Sequence, residues 1–112
     1  MSDWVYLLRC RDGSLYCGWT NALERRLAAH AAGTASRYTR SRLPLSLALA
    51  LPQPDAPAAR REEARIKRLT KPQKELWLAE MARVVPPLQH AAVALEPQDA
   101  DRGGGEREVT PG

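Results

Sequence analysis

Two short runs of mainly apolar residues, separated by a polar turn, begin the chain. The first run, residues 4–10, is rich in β-branched and aromatic side chains, which favour a strand. It is followed by Asp12-Gly13, a dipeptide typical of hairpin turns, and residues 14–19 form the predicted return strand. Apolar residues then recur at intervals of four from Leu23 to Ala31, as on a buried helix face, and at every second position over Leu45–Leu51, as in a strand.

The complete pattern predicts six elements in the order β-β-α-β-α-α, which is an α+β domain. The elements are strands at residues 4–10, 14–19 and 45–51, a helix from about residue 21 to 32, and helices at residues 58–69 and 71–85. Residues 34–42 between the first helix and the third strand are polar and basic, and we predict a loop there.

Helix caps refine the predicted boundaries. Thr20 or Asn21 is expected to cap the first helix, and Asn21 in that role puts Glu24 in position for a box-like arrangement. Thr70 is the predicted cap of the last helix, with Pro72 in its first turn. The apolar side chains that this helix is expected to pack are Leu76, Trp77 and either Leu78 or Met81.

The length of 112 residues is that of one small domain, which we assign to residues 1–85. Pro86-Pro87 end the last helix, and residues 86–112 are rich in Gly, Pro and mixed charge. We predict a disordered tail there, with only a weak helical pattern at Leu88–Leu95, because such a segment buries too little apolar surface to offset its ordering entropy.

Charge is divided unevenly between these two parts. The whole chain has 17 Lys and Arg against 13 Asp and Glu, a net charge of +4. Residues 1–85 have 15 basic against 8 acidic side chains, or +7, whereas residues 86–112 have 2 against 5, or −3. A domain this basic is typical of proteins that bind phosphates such as those of nucleic acid, and a merely solvated surface is the alternative that charge alone leaves open.

Several classes of protein are excluded by the same composition. No stretch reaches the roughly 20 apolar residues of a membrane-spanning helix, and the start of the chain lacks the basic region of a signal peptide. Cys10 and Cys17 are too few for a disulfide framework, and neither CxxC nor HxxxH spacing indicates a zinc site. We therefore expect no membrane partner and a reducing, cytoplasmic location.

Five side chains form a candidate site for phosphodiester hydrolysis. Tyr6 and Tyr16 lie on the first two strands, Arg26 and His30 share one helix face at a spacing of four, and Glu63 lies on the second helix. A carboxylate binds a hard divalent cation such as Mg²⁺ or Mn²⁺, and that cation polarises the phosphoryl oxygens. A guanidinium neutralises charge on the phosphate, and a phenol or imidazole positions or deprotonates water.

The hairpin loop decides whether both phenols reach one site. A two-residue turn at Asp12-Gly13 would put Tyr6 and Tyr16 on opposite faces of the sheet, because a slip of one residue reverses the faces. A three-residue loop over residues 11–13, with its glycine in the left-handed region, pairs Leu8 with Tyr16 and puts both phenols on one face. The hydrolase interpretation predicts the second arrangement.

Each of these residues also has a purely structural interpretation. Strand tyrosines are most often part of a core, and Arg26 with His30 can be an exposed helix face. Glu63 can pair with Lys67 four residues later, and Glu62 beside it leaves the choice of metal-binding carboxylate open.

Ordered motifs in the chain resemble a known superfamily. Trp4-Val5-Tyr6 and Tyr16-Cys17-Gly18 resemble, in degenerate form, the two signature triplets of the GIY-YIG endonucleases. The surrounding residues resemble the UPF0213-like branch of that superfamily, which consists of small stand-alone bacterial proteins. The resemblance spans about residues 3–80. The stretches that carry it are Leu23–Leu27 with His30, Ser36–Arg40 and Arg61–Leu69.

This resemblance implies a three-stranded antiparallel sheet flanked by helices and metal-dependent cleavage of DNA phosphodiester bonds. Tyr16 matches the family tyrosine implied as general base or water-positioning group, and Tyr6 its partner. Arg26 matches the arginine that stabilises the phosphate, and His30 a position held by histidine in many members. Glu63 matches the metal-binding glutamate, with Glu62 still open.

DNA contacts are expected from the basic loop and the second helix, and they would address the backbone rather than base sequence. The residues expected to make them are Arg37, Tyr38, Arg40, Arg42 and Lys67. The expected role is in DNA repair or on structured DNA. No Asn follows Asn21, although many members have one after the glutamate helix. The alternatives are therefore a catalytically weak or inactive DNA-binding module of the same fold and an interaction domain whose acidic tail mimics DNA.

Overall fold

A computed structural model describes residues 2–85 and 93–95 of the chain. Its elements are β1 (Asp3–Arg9), β2 (Leu15–Thr20), α1 (Leu23–Ala31), α2 (Arg37–Arg40), β3 (Ser46–Gln53), α3 (Ala56–Lys67), α4 (Lys71–Met81) and β4 (Val93–Ala94). The predicted α+β class and the order β-β-α-β-α-α are confirmed. Two short elements, α2 and β4, are additions to that order.

The sheet is antiparallel, with the strand order β2-β1-β3-β4. Its first three strands are the predicted ones, and β4 adds two residues beside the start of β3. Val93–Ala94 fall within the segment predicted as a disordered tail, in the stretch with a weak helical pattern, and they form a strand instead. The other residues of that segment lie outside the described part of the chain.

The β1–β2 hairpin has the three-residue loop that places both phenols on one face. The backbone N–H of Cys10 donates to the carbonyl of Ser14 at 2.9 Å, and the N–H of Gly13 donates back to the carbonyl of Cys10 at 2.9 Å. Gly13 has a φ of +87°, in the left-handed region that glycine adopts without strain. The resulting register pairs Tyr6 with Gly18 and Leu8 with Tyr16, as predicted.

The alternating leucines of residues 45–51 do not all face one side of the sheet, although their spacing is that of a regular strand. Leu45 and Leu47 pack against the tyrosine face of the sheet, whereas Leu49 and Leu51 pack against the opposite face. The β1–β3 register shifts by one residue so that Ala48 is left without a partner in β1. A single extra residue reverses the faces of a strand, and this bulge therefore lets β3 contribute to both layers.

Helices cover both faces of the sheet. On the tyrosine face, Leu23 and Leu27 of α1 pack against the core. On the other face, Ala59 and Ile66 of α3 are fully buried, and Trp77 of α4 packs against them. A pair of charges ties α4 to β1, where Arg9 Nη2 donates to Glu75 Oε1 at 2.9 Å. Within the described part of the chain, no helix is long and apolar enough to cross a bilayer.

Two local predictions about the helices are wrong. Asn21 does not cap α1, since Ala22 occupies the cap position without a side-chain bond and Thr20 Oγ1 instead accepts from the Ala22 N–H at 3.0 Å. Because β2 runs through Thr20, the chain uses the next two residues to turn. Leu76 is 63% exposed, because the face of α4 that meets the sheet carries Trp77, Leu78 and Met81. The predicted Thr70 cap of α4 is confirmed, with Gln73 completing a capping box.

Candidate active site

The two strand tyrosines lie side by side on the face of the sheet covered by α1. Their ring centroids are 6.5 Å apart. Tyr6 is 1% exposed and Tyr16 is 5% exposed, so that Tyr16 is the phenol nearer to solvent. The predicted pairing of these residues on one face is therefore confirmed.

Gly18 is the residue that lets the Tyr6 phenol occupy this place. A Cβ at Gly18 would lie 2.6 Å from Tyr6 Oη and 2.7 Å from Cζ, closer than side chains approach one another. The phenol lies directly against the backbone of β2, and only glycine leaves room for it. This contact explains physically why a glycine follows Tyr16 by two residues.

Replacing Gly18 with Ala is expected to displace the Tyr6 phenol and to lower the free energy of unfolding by about 1–3 kcal/mol, the usual cost of overpacking. Urea denaturation measures the change. The matched control is Gly13→Ala, where nothing lies within 4 Å and only the positive φ causes strain. That variant is expected to lose stability but to keep the Tyr6 position. Wild-type stability of the Gly18→Ala variant would contradict the prediction.

His30 holds the Tyr6 hydroxyl from the side of α1. Its Nε2 lies 2.8 Å from Tyr6 Oη, and its Nδ1 lies 2.9 Å from Thr39 Oγ1. The ring is 1% exposed, with its centroid 5.0 Å from that of Tyr16. Burial, together with the positive charge of Arg26, lowers the pKa of His30 to about 3. The imidazole is therefore neutral near pH 7.

This lowered pKa predicts a loss of stability in mild acid. Histidine in the unfolded chain has a pKa near 6.5 and binds its proton first, so the free energy of unfolding falls as pH drops from about 6.5 towards 3. Between pH 6.5 and 5 we expect a loss of about 2 kcal/mol. Urea titrations at the two pH values measure it. Glu75 is the carboxyl group that affects stability next as the pH falls. The hydrogen bond from Arg9 lowers its pKa to about 2, so its effect on the free energy of unfolding begins only near pH 4.5.

A His90→Gln variant serves as the control and is expected to show the same loss, because it leaves His30 in place. Equal free energies of unfolding at pH 6.5 and 5 for the wild type would contradict the buried, neutral state of His30.

Arg26 and Glu63 supply opposite charges beside the phenols. Burial raises the pKa of Tyr6 well above its ordinary value, and the pKa of Tyr16 is raised by the same cause. For both phenols, the positive charge of Arg26 acts to lower the pKa and the negative charge of Glu63 acts to raise it. The guanidinium and the carboxylate are thus both close enough to act on the same pair of phenols.

The two neighbouring glutamates of α3 have different surroundings. Glu63 has a side chain that is 15% exposed and pairs with Lys67 Nζ at 3.2 Å. Glu62 pairs with Arg65 through two hydrogen bonds, of 2.6 and 3.1 Å. Glu63 is the less exposed of the two, since the Glu62 side chain is 27% exposed, and the negative charge of Glu63 acts to raise the pKa of both Tyr6 and Tyr16. Which of the two glutamates binds a metal stays a prediction.

Of the side chains placed at this site, Glu63 is the one whose chemistry suits a divalent cation. Among residues 2–85 and 93–95, no group of three or more His, Cys, Asp and Glu side chains is arranged to hold a metal ion. Magnesium is commonly held by one or two carboxylates, waters and substrate phosphates. A single, largely buried carboxylate at Glu63 matches that donor set.

The residues predicted to contact DNA differ in their exposure and in the contacts that they make within the protein. Arg37 and Arg40 lie on the exposed side of α2. The guanidinium of Arg42, in contrast, lies 3.7 Å from the centre of the Tyr38 ring, and its Nε donates to Asp12 Oδ2 at 3.0 Å. The Tyr38 ring also stacks on Tyr16, with centroids 6.0 Å apart. Tyr38 therefore packs on Tyr16, Arg42 packs on Tyr38, and Lys67 pairs with Glu63.

Two polar residues of the site were not among those predicted from the sequence. Thr39 is fully buried against His30, and the side chain of Ser36 hydrogen-bonds both Thr39 and Tyr16. They belong to α2, where a loop was predicted. The sequence signal for this helix was Ser36 itself, because a serine side chain that accepts from the N–H three residues later, here that of Thr39, is the pattern of a helix cap.

Comparison with known proteins decides the family. The model of the GIY-YIG catalytic domain matches residues 2–76. The chain belongs to the GIY-YIG family. Membership implies nuclease activity, DNA as partner and, in general, use of a divalent metal. The resemblance drawn from the triplets around Tyr6 and Tyr16 is confirmed.

Similar proteins extend this GIY-YIG assignment to the UPF0213 group. A UPF0213 protein of Xanthomonas axonopodis pv. citri (strain 306) is 44% identical over 91 residues, covering 81% of this chain and 89% of that protein. One from Nitratidesulfovibrio vulgaris is 53% identical over 75 residues, covering 67% of this chain and 68% of that protein. The solution NMR structure of a UPF0213 protein from Bacillus halodurans matches with a TM-score of 0.50 and 38% identity, covering 71% and 85% of the two chains. The fold and the branch are therefore shared with these proteins.

Proposed function

We propose that this protein is a metal-dependent DNA endonuclease that hydrolyses phosphodiester bonds, acting in DNA repair or on structured DNA. The observation that carries the proposal is the pair of phenols on one sheet face, on which the charges of both Arg26 and Glu63 act. A DNA substrate suits the net charge of +7 on residues 1–85, and the proposed location is the cytoplasm.

Tyr16 is the proposed general base, because it is the more exposed of the two phenols. In the proposed step, the water oxygen forms a bond to phosphorus, its proton passes to the ionised Tyr16 oxygen, and the bond from phosphorus to the leaving sugar oxygen breaks. That leaving oxygen then takes a proton from solvent. Burial opposes ionisation of Tyr16, whereas the hydrogen bond from Ser36 and the charge of Arg26 favour it.

Tyr6 and His30 act from behind Tyr16 rather than on DNA. Each is 1% exposed, and each has the other as a hydrogen-bond partner. A neutral imidazole accepts the Tyr6 hydroxyl proton in a hydrogen bond and fixes the direction of that phenol. The proposed role of this pair is to hold the buried side chains behind Tyr16 in a fixed position, so that the attacking water is held in place as well.

Arg26 is proposed to neutralise the negative charge on the phosphate, and Arg37 and Arg40 are proposed to bind flanking phosphates. A planar guanidinium matches the phosphate oxygens with two parallel hydrogen bonds. Glu63 is the proposed ligand of Mg²⁺ or Mn²⁺. Such a cation, when bound, supplies positive charge that stabilises the phosphoryl oxygens in the transition state.

The test is a cleavage assay with the purified full chain on nicked, branched and duplex DNA. Cleavage is expected with Mg²⁺ or Mn²⁺ and is expected to stop when a chelator is added. The absence of cleavage with every substrate and both metals would overturn the proposal.

A DNA-binding module of the same fold without catalysis is the second candidate. The observations that favour it are the absence of Asn after Asn21 and the basic surface of residues 1–85. It predicts DNA binding whose affinity falls linearly with salt on logarithmic scales, with no product formed. Binding that does not change between roughly 50 and 200 mM salt would exclude it.

A further inference from the structure

A buried chain of hydrogen bonds joins the two phenols through α2. Tyr6 Oη lies 2.8 Å from His30 Nε2, and His30 Nδ1 lies 2.9 Å from Thr39 Oγ1. Thr39 Oγ1 lies 3.1 Å from Ser36 Oγ, whose hydroxyl hydrogen-bonds the phenol of Tyr16. All five side chains belong to residues that are less than 9% exposed. The chain therefore connects the two phenols of the proposed site without passing through solvent.

The Tyr6 end of this chain sets its direction. In the described part of the molecule, His30 Nε2 is the hydrogen-bond partner of the Tyr6 hydroxyl. If Nε2 carried the imidazole proton, the Tyr6 proton would be buried without an acceptor, which costs about 1–3 kcal/mol. The tautomer with its proton on Nδ1 avoids this cost, because Nε2 then accepts from Tyr6.

The α2 end is consistent with the same direction. A proton on His30 Nδ1 makes Thr39 Oγ1 the acceptor, and the Thr39 hydroxyl then donates to Ser36, where Oγ at 3.1 Å is nearer than the carbonyl oxygen at 3.4 Å. Ser36 Oγ has room for that bond, since it also accepts from the Thr39 N–H at 3.1 Å and has two lone pairs. The Ser36 proton is left to donate to the Tyr16 oxygen, and a hydrogen bond in that sense acts to lower the pKa of Tyr16 against the larger raising effect of burial.

We propose that Thr39 is a positioning residue whose hydroxyl fixes His30 with its proton on Nδ1, so that every hydrogen bond in the chain is donated in one direction from Tyr6 to Tyr16. Thr39 is fully buried, and it therefore acts through His30 and Ser36 rather than on DNA. The short helix α2, which Ser36 caps, brings the hydroxyls of Ser36 and Thr39 together. The effect on cleavage rests on the proposed function, whereas the tautomer of His30 does not.

The test reads the imidazole directly. Full-length ¹⁵N-labelled protein carrying His90→Gln leaves one histidine, whose ring nitrogens are observed by long-range ¹H–¹⁵N NMR at neutral pH. The expected wild-type spectrum has the proton on Nδ1. Thr39→Val is expected to lose that fixed tautomer, and Thr39→Ser is expected to restore it because serine supplies the same hydroxyl. Thr34→Val is the control, since the exposed Thr34 hydroxyl bonds only to the Ala29 carbonyl at 3.2 Å.

Kinetics separate positioning from binding. Thr39→Val is expected to lower kcat by up to about 100-fold, the effect of misplacing a reacting group, with KM unchanged. A wild-type proton on Nε2, or an unchanged tautomer in Thr39→Val, would overturn the proposal even if the enzyme cleaves DNA. Should Thr39→Val fail to fold, the wild-type spectrum and the Thr39→Ser variant decide the question alone.

Discussion

Replacing Glu63 with Gln is expected to lower DNA cleavage by roughly 10³-fold while leaving DNA affinity nearly unchanged. Glutamine has the shape of glutamate but no negative charge, and it therefore cannot hold a divalent cation of the kind proposed. The fold is expected to tolerate the change, because the ion pair of Glu63 is with Lys67 on the same helix, at 3.2 Å. Cleavage rates at saturating metal and binding measured by fluorescence anisotropy give the two quantities.

The neighbouring glutamate provides a matched control. Glu62→Gln removes the same charge one residue away, where the carboxylate pairs with Arg65. That variant is expected to cleave within a few-fold of the wild type, because exposed pairs contribute little. Equal rates for the wild type and Glu63→Gln would reject Glu63 as the metal ligand, and a loss confined to Glu62→Gln would transfer the role to Glu62.

Replacing Tyr16 with Phe is expected to lower kcat by about 10²–10⁴-fold, the usual contribution of a general base. Phenylalanine keeps the ring that contacts His30 and Tyr38 but removes the oxygen that the water would use. The free energy of unfolding is expected to fall by only about 1 kcal/mol, from the lost bond to Ser36. Single-turnover cleavage and urea denaturation measure these effects separately.

Tyr38→Phe is the control for this variant. Its ring stacks on Tyr16 and beneath Arg42, and those contacts do not require the hydroxyl. The control is therefore expected to keep kcat near the wild-type value. If Tyr16→Phe retained kcat as well, Tyr16 would not be the base, and the binding-module interpretation would gain support.

Much of the site could be predicted because a hairpin fixes its own register locally. The three residues from Arg11 to Gly13 determine which residues of β1 and β2 lie opposite one another, so the shared face of Tyr6 and Tyr16 follows from the loop alone. The element order was accessible for a similar reason, since caps such as Thr70 and hydrophobic spacing are local properties.

The remainder depends on contacts between distant parts of the chain. The exposure of Leu76 and the bulge at Ala48 follow from how α4 and β1 meet β3, which periodicity does not encode. The roles of Ser36 and Thr39 appear only when α2 packs against α1, and on sequence alone these residues look like ordinary loop polar groups. The difference in exposure between Glu62 and Glu63 likewise depends on which side of α3 faces the sheet.

The hairpin between β1 and β2 has a consequence for engineering and for natural variation. Surface loops usually tolerate insertions, because one added residue changes loop entropy little. In this loop an added residue would change the parity of the β1–β2 register and send the second phenol to the opposite layer, against α3. Asp12 in the same loop also holds Arg42 over Tyr38, so the turn helps to cover Tyr16 as well as to orient it. The length of a three-residue surface turn is therefore as strict a requirement for the site as the identity of its tyrosines.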